Sequence, residues 1–247
     1  MHHVYKTEYL DSIAQTAPSD WNKLIGSDYP FLQHEFLFAL EESGCTTIST
    51  GWKPHHLVIK NEKGTLIAIM PLYLKNNSMG EYVFDWSWAD AYHQHGIEYY
   101  PKFVTSIPFT PSAGPRICID SKENRPELIE SMVNSIKKEA ELLNCSSWHI
   151  LFPNKNLSDS LSKLGLIQRQ GFQYQWFNKN YTDFDNFLEK FSSRKRKNLK
   201  KERKKIIESN IEFEWLDGRD VSVAQWQCFY KFYQNTYLVR GRSAYLT

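Results

Sequence analysis

The chain contains none of the glycine-rich phosphate signatures. There is no GxGxxG and no GxxxxGK followed by Ser or Thr, and residues 120–126, ahead of the longest amphipathic stretch, include no glycine. A backbone cradle for a pyrophosphate is therefore not expected there. Cysteine is sparse. Cys45, Cys118, Cys145 and Cys228 stand far apart with no CxxC pair, which points to reduced thiols in a cytosolic protein. Long apolar runs are missing too. The longest, residues 65–74, is too short to span a bilayer, and the N-terminus lacks the layout of a signal peptide, so no membrane span is expected. Net charge is only +2, yet residues 181–210 carry ten Lys/Arg against five Asp/Glu. Any basic partner surface is one local patch.

What is present reads as α/β. The pattern predicts a strand up to Leu10, a helix opened by Pro18-Ser19-Asp20, and a second helix on the spacing of Phe31, Leu32, Phe36, Leu37 and Leu40, with Gly44 as its C-cap. A hairpin follows: strand 56–60, turn 61–64, and a longer strand 65–75 in which Pro71 demands a bulge or an edge. Further strands are expected at 82–85, 102–107, 116–119, 147–151 and 166–177. A helical turn is expected at 89–94, and helices at 125–143 and 157–164. Helices are thus available for both faces of a mixed sheet. A new unit begins near Tyr181. It has a helix capped by Thr182 and Asp183, a basic helix to Ser209, a strand on Ile211, Phe213 and Trp215, and a helix with the stripe Val223, Trp226, Tyr230, Tyr233, Tyr237. One strand cannot make a sheet, so this unit reads as incomplete.

The chain is organised around residues 80–116. Nine aromatic residues and two histidines fall in these 37 positions, among the carboxylates Glu81, Asp85, Asp90 and Glu98 and the cations Lys102 and Arg116. Rings mixed with ionisable groups suit a concave pocket; the plainer alternative is an aromatic core with peripheral charge. Asp90, His93, His95 and Glu98 imitate a metal set. Yet His93 and His95 share a side only in extended chain and Asp90 and His93 only in a helix, so no metal is expected. A general base drawn from His93, His95, Asp85 or Asp90 is one reading, and a hydrogen-bonded histidine at a pocket rim is the other. Residues 194–205 hold nine Lys/Arg. They form either a solvated helix face or a seat for phosphate, and no aromatic residue is there to stack on a base.

The blocks PFLQHEFLFALEESG, GWKPHHLVI, MPLYLKNNSMGEYVFDWSWADAY, YYPKFVTSIPFTPSAGPR, SSWHILFP and FSSRKRKNLKKER resemble the FemAB-like family of N-acyltransferases. That family is associated with peptidoglycan biosynthesis and placed in the GNAT superfamily, and the resemblance runs from Phe31 to Thr247. It implies a GNAT-like mixed sheet with helices on both faces over residues 1–178, serving the acceptor, then a second, incomplete GNAT-like unit over 181–247. Family members continue beyond this length, so the chain is expected to be a fragment. The implied reaction moves an acyl or aminoacyl group to a small-molecule or peptide amine, with acyl-CoA or aminoacyl-tRNA as co-substrate and no tightly bound cofactor. On that reading Asp85, Asp90 and His93 are the candidate bases. Trp86, Trp88, His95, Tyr99, Tyr100, Lys102, Thr110 and Arg116 hold the acceptor, and Arg194, Arg196, Lys197 and Lys201 hold donor phosphates or tRNA. The alternative is a non-catalytic RNA- or phosphate-binding module built on helix 194–205.

Overall fold

The computed structural model describes residues 5–26 and 28–247, and their contacts fall into two units, residues 5–168 with 243–247 and residues 169–242.

In the first unit, β1 (Lys6–Leu10), β3 (His56–Lys60), β4 (Leu66–Met70) and β7 (Cys118–Ile119) form one antiparallel sheet in the order β1-β3-β4-β7. A second sheet runs β2 (Lys53–Pro54), β5 (Tyr73–Lys75), β6 (Lys102–Thr105), β8 (Trp148–Ile150), and is mixed because β6 and β8 are parallel. The expected long strand 65–75 is two strands. It breaks at Pro71-Leu72, and its halves β4 and β5 enter different sheets, because proline has no N–H to continue a ladder.

Alternation sends the first sheet's side chains to two cores. Leu57, Ile59, Ala68 and Met70 pack with Leu128, Ile129, Met132, Val133 and Ile136 of α4 (Arg125–Leu142) and with Leu157 and Leu161 of α5 (Lys155–Lys163). Val58 and Ile69 pack on the other side with Trp21 of α1 (Pro18–Ile25) and Leu37 of α2 (His34–Glu42). A strand covered on both faces reads as a continuous apolar run, as LIAIM does. Asn124 and Asn154 cap α4 and α5, each side chain accepting from the N–H three residues on.

Between β5 and β6 lies α3 (Trp86–Gln94), longer than the expected turn. The expected strand at 82–85 is absent, since Tyr82 has φ 58° and cannot continue a ladder. Gly80 (φ 77°) precedes it. A Cβ there would meet the Phe109 ring at 2.6 Å, so both conformation and space require glycine.

The second unit contains α6 (Phe184–Leu188), α7 (Ser193–Glu208) and α8 (Val223–Leu238), with no strand among its described residues. The alternating segments 166–177 and 211–215 were expected as strands. They stay irregular, because a strand without a neighbour leaves its backbone groups to water and gains no pairing. Among the described residues no helix is long and apolar enough to cross a membrane.

Candidate functional site

The two faces of the β2-β5-β6-β8 sheet differ in chemistry. Leu74, Phe103, Trp148 and Ile150 belong to the apolar side that meets α4. The next residues along each strand face the other way. Register sets Lys75 directly opposite Lys102, Tyr73 opposite Val104, and Val104 opposite His149. That face therefore carries two lysines and a histidine, and α3 lies against it: Tyr92 meets Tyr99 at 5.1 Å between ring centroids and Trp88 meets His149 at 6.5 Å.

Lys102 is fully buried, and its ammonium donates to Ser78 Oγ (2.9 Å), Glu81 Oε2 (2.9 Å) and Asp85 Oδ2 (2.5 Å), which uses all three of its protons. Tyr99 donates to the same Asp85 oxygen at 2.7 Å, and Ser78 Oγ is 2.7 Å from the Tyr100 hydroxyl. Asp85 occupies the N-cap position of α3, where an aspartate would ordinarily accept from the helix N–H groups, yet its side chain makes no cap bond. The carboxylate turns inward instead. Burial pushes the Asp85 carboxyl up, but the hydrogen bonds from Lys102 and Tyr99 outweigh it and hold the group below its ordinary range. For Glu81 burial wins over Lys102, and its carboxyl is raised. Glu81 Oε1 and Asp85 Oδ1 are buried with no hydrogen-bond partner among the described residues.

Lys75 sits beside this group, its ammonium 3.6 Å from the Trp52 ring centroid and 3.2 Å from the Met79 carbonyl it donates to. Burial, reinforced by Lys102 across the strand pair, lowers it to about 7, against the opposing pull of Glu81 and Asp85. Buried lysines side by side with buried carboxylates are the kind of environment that perturbs titration at functional sites.

At the far end of the network the half-buried His149 places Nε2 3.0 Å from Ser147 Oγ and 3.5 Å from the Tyr99 hydroxyl. Glu81, Lys75, Ser78, Ser147 and His149 were not singled out by sequence reasoning as site residues. Glu81 and Ser78 lay within reach, inside or beside the aromatic segment. Lys75 and His149 enter through strand register, and the only sequence signal was their place at alternate positions of short strands.

The structure does not gather the three candidate bases. Asp85 is buried in the network, whereas Asp90 and His93 are exposed on α3. His95 is also exposed at the end of that helix, its Nδ1 2.7 Å from the Ala91 carbonyl. Of the candidate acceptor residues, Tyr99, Tyr100 and Lys102 belong to the network. Trp86 and Trp88 are 45% and 43% exposed on α3, where a ligand ring can reach them. Thr110 lies in the proline loop and donates to the Pro108 carbonyl. Arg116 is fully buried and turned to structure. It donates to the carbonyls of Leu151, Ser112 and Pro115 and to the Tyr29 hydroxyl, and so braces the 106–115 loop.

Arg194, Arg196, Lys197 and Lys201 all lie on α7 in the second unit, whose basic residues are solvent-facing except for the half-buried Arg196. Two neighbours on that helix are engaged locally: Lys200 pairs with Asp185 at 2.9 Å and Arg203 stacks over Phe184 at 4.0 Å.

The FemAB-like family, described as peptidoglycan biosynthesis/recognition, matches residues 12–247. No curated protein matches the chain. Among solved structures, it is similar to the aminoglycoside 6'-N-acetyltransferase AAC(6')-Ih from Acinetobacter baumannii at 14% identity and TM-score 0.40, over 72% of this chain and 99% of that one. It is similar to glucosamine-6-phosphate N-acetyltransferase from Arabidopsis thaliana at 13% identity and TM-score 0.41, over 71% and 99%. The aminoglycoside N-acetyltransferase AAC(6')-Iy in complex with CoA aligns at 10% identity and TM-score 0.43, over 73% and 97%. Likenesses of that size decide nothing about chemistry.

Proposed function

The chain belongs to the FemAB-like family, and from that membership we propose that the protein is an N-acyltransferase, moving an acyl or aminoacyl group onto an amine. What carries the reading is the family match across nearly the whole chain. The polar face of the mixed sheet supplies a place for the reaction. Acyl transfer to an amine needs a receiver for the amine proton, donors for the oxyanion, and exclusion of water. The Lys102, Asp85 and Tyr99 network offers fixed charge in a sealed setting, and the half-exposed Trp86 and Trp88 of α3 offer apolar walls beside it.

In this reading residues 1–178 are the acceptor side and residues 181–247 belong to a second unit. The acceptor is a small peptidoglycan-related or similar amine. The donor is acyl-CoA or an aminoacyl-tRNA, with the phosphates met by the exposed cations of α7. A cytoplasmic setting agrees with four unpaired cysteines. The test is to incubate the purified chain with acetyl-CoA or a charged tRNA and peptidoglycan-precursor peptides bearing free amines, and to follow the acylated product by mass spectrometry. Product from either donor supports the reading. Tight binding of uncharged tRNA with a steep salt dependence and no product from either donor would replace it with a binding module.

A further inference from the structure

The buried network is one donor short on each of its carboxylates. The Lys102 ammonium uses its three protons on Ser78 Oγ, Glu81 Oε2 and Asp85 Oδ2. Tyr99 donates to that same Asp85 oxygen, and the hydroxyls of Ser78 and Tyr100 are bonded to each other. Glu81 Oε1 and Asp85 Oδ1 are left with no partner among the described residues, on side chains that are 0% and 1% exposed. We infer that these two oxygens seat the acceptor nitrogen, which enters as a primary ammonium. The inference rests on the acyltransferase reading.

Ligand chemistry is the first argument. Buried polar atoms in folded proteins nearly always find a partner, and a carboxylate oxygen left bare costs the desolvation of a charged acceptor. Two such atoms in one cluster call for a ligand that supplies donors. A carboxylate, a phosphate or a carbonyl brings none. A quaternary ammonium brings charge without an N–H. A primary ammonium brings three N–H groups and one positive charge. The ligand set is too small for a metal ion, since no group of three His, Cys, Asp or Glu able to hold one occurs among the described residues.

Charge points the same way. Lys102 sets one positive charge against two carboxylates. Lys75, the next cation on this sheet face, donates to the Met79 carbonyl and lies over the Trp52 ring, and burial lowers it to about 7. The Glu81 carboxyl is raised because burial outweighs Lys102, as expected of a carboxylate with one oxygen bonded and the other bare. An ammonium at Oε1 supplies the compensation that is missing.

Access lies with α3. Its nine residues follow Asp85 directly and none of them is buried, so the helix can shift without giving up a core contact. Ring contacts such as that of Tyr92 on Tyr99, at 5.1 Å, hold it down.

The experiment has two arms on the full chain at pH 7. The first needs no turnover. Methylammonium chloride is titrated against the wild type while the Asp and Glu side-chain carboxyls are followed by carbon-13 NMR, with tetramethylammonium chloride and sodium chloride at matched ionic strength as controls. Glu81→Gln and Asp85→Asn assign the two signals. A saturable shift of Glu81 and Asp85 with methylammonium alone is expected, and Glu81→Gln, which keeps an acceptor for Lys102, should weaken it about tenfold or more. Circular dichroism and urea titration control for folding, and the wild-type titration decides by itself if the variant does not fold. No shift, or the same shift with tetramethylammonium or sodium, overturns the inference and leaves the oxygens to water. In the second arm acetyl-CoA is the donor, and D-alanine and glucosamine are the acceptor probes. Glu81→Gln is expected to raise the acceptor KM about tenfold and to leave the acetyl-CoA KM unchanged. Transfer with an unchanged acceptor KM overturns the seat and leaves the acyltransferase reading standing. A methylammonium shift without product from either acceptor supports the seat and counts against that reading.

Discussion

Trp52 and Trp215 stand at opposite extremes of exposure, 1% and 97%, and the units that hold them differ in the same sense. In the first unit even ionisable side chains are inside: Lys75, Lys102 and Arg116 are at 0%, Glu81 at 2% and Asp85 at 1%. In the second, large rings stay in water, with Phe172 at 86%, Tyr174 at 92% and Phe213 at 76%. The cause is the sheets. Strands of the first unit give α1, α2, α4 and α5 an apolar face to cover and can carry polar residues at alternate positions into a sealed layer. The second unit has helices alone among its described residues, so ring periodicity there has no strand of its own unit to meet. Hydrophobic pattern marks what a segment is able to bury, and the neighbouring layer decides whether it does.

The largest test of that contrast removes one lysine from each unit. Lys102→Met leaves Glu81 and Asp85 buried without their cation, and unfolding free energy should fall by about 3–5 kcal/mol. Lys200→Met removes an equally short pair, to Asp185, but both partners are exposed and screened by water, and the loss should be far smaller. Urea titration at pH 7 reads both. Equal losses would mean that the lysine cluster is not sealed in solution.

Lys75→Met should act in the opposite direction. The folded-state value of Lys75 is lowered by burial to about 7 from the ordinary 10.5, so between these values the unfolded chain binds the extra proton and stability rises with pH. Below about 7 the handicap is complete; by 10.5 it is gone. Methionine removes it, and the gain should be about 1–3 kcal/mol at pH 7, shrinking as pH approaches 10.5. Cation–π contact with Trp52 opposes the gain, which keeps the expected figure modest. A gain that does not change with pH would show that Lys75 stays charged in the fold.

Much of the first unit was legible in advance, and the reasons are local. The α1 span follows from Pro18 at its start and α4 from apolar spacing over 125–143, while α5, expected at 157–164, starts two residues earlier behind the Asn154 cap. Asp85, Tyr99, Tyr100 and Lys102, which the structure joins in one hydrogen-bond network, were legible as candidates because rings and charges crowd one short segment. Lys75 and His149 were not, because alternation says which residues share a face of one strand and nothing about which strands pair. Arg116 was legible as important but not in role. A buried guanidinium surrounded by carbonyls looks, in sequence, the same as one waiting for a phosphate.

A third pairing bears on that last point. Arg116→Lys keeps the charge but loses the fork that reaches Leu151, Ser112 and Pro115 together, and should cost about 2 kcal/mol. Arg219 makes a similar fork to Asp217 at 2.8 and 3.2 Å, but on the surface, and Arg219→Lys should be nearly silent. Thermal melts of the two variants side by side give the comparison directly.

The smallest expected effect is the sharpest for the second unit. Phe229 and Phe232 lie three residues apart on α8 and are 62% and 67% exposed. Truncating a buried ring such as Phe103 costs roughly 3–5 kcal/mol, because contacts and transfer energy are lost together. Phe229→Ser with Phe232→Ser forfeits little of either, and helix propensity changes by only a few tenths, so stability should move by no more than about 0.5 kcal/mol. Self-association is the property that should respond, since two rings leave an apolar surface that water already touches. Sedimentation velocity across a concentration series, beside urea titration of the same samples, separates the two effects. A cost above about 2 kcal/mol would mean that these rings are covered in the folded protein in solution, and the division between a unit that hides charge and a unit that shows rings would fail at α8.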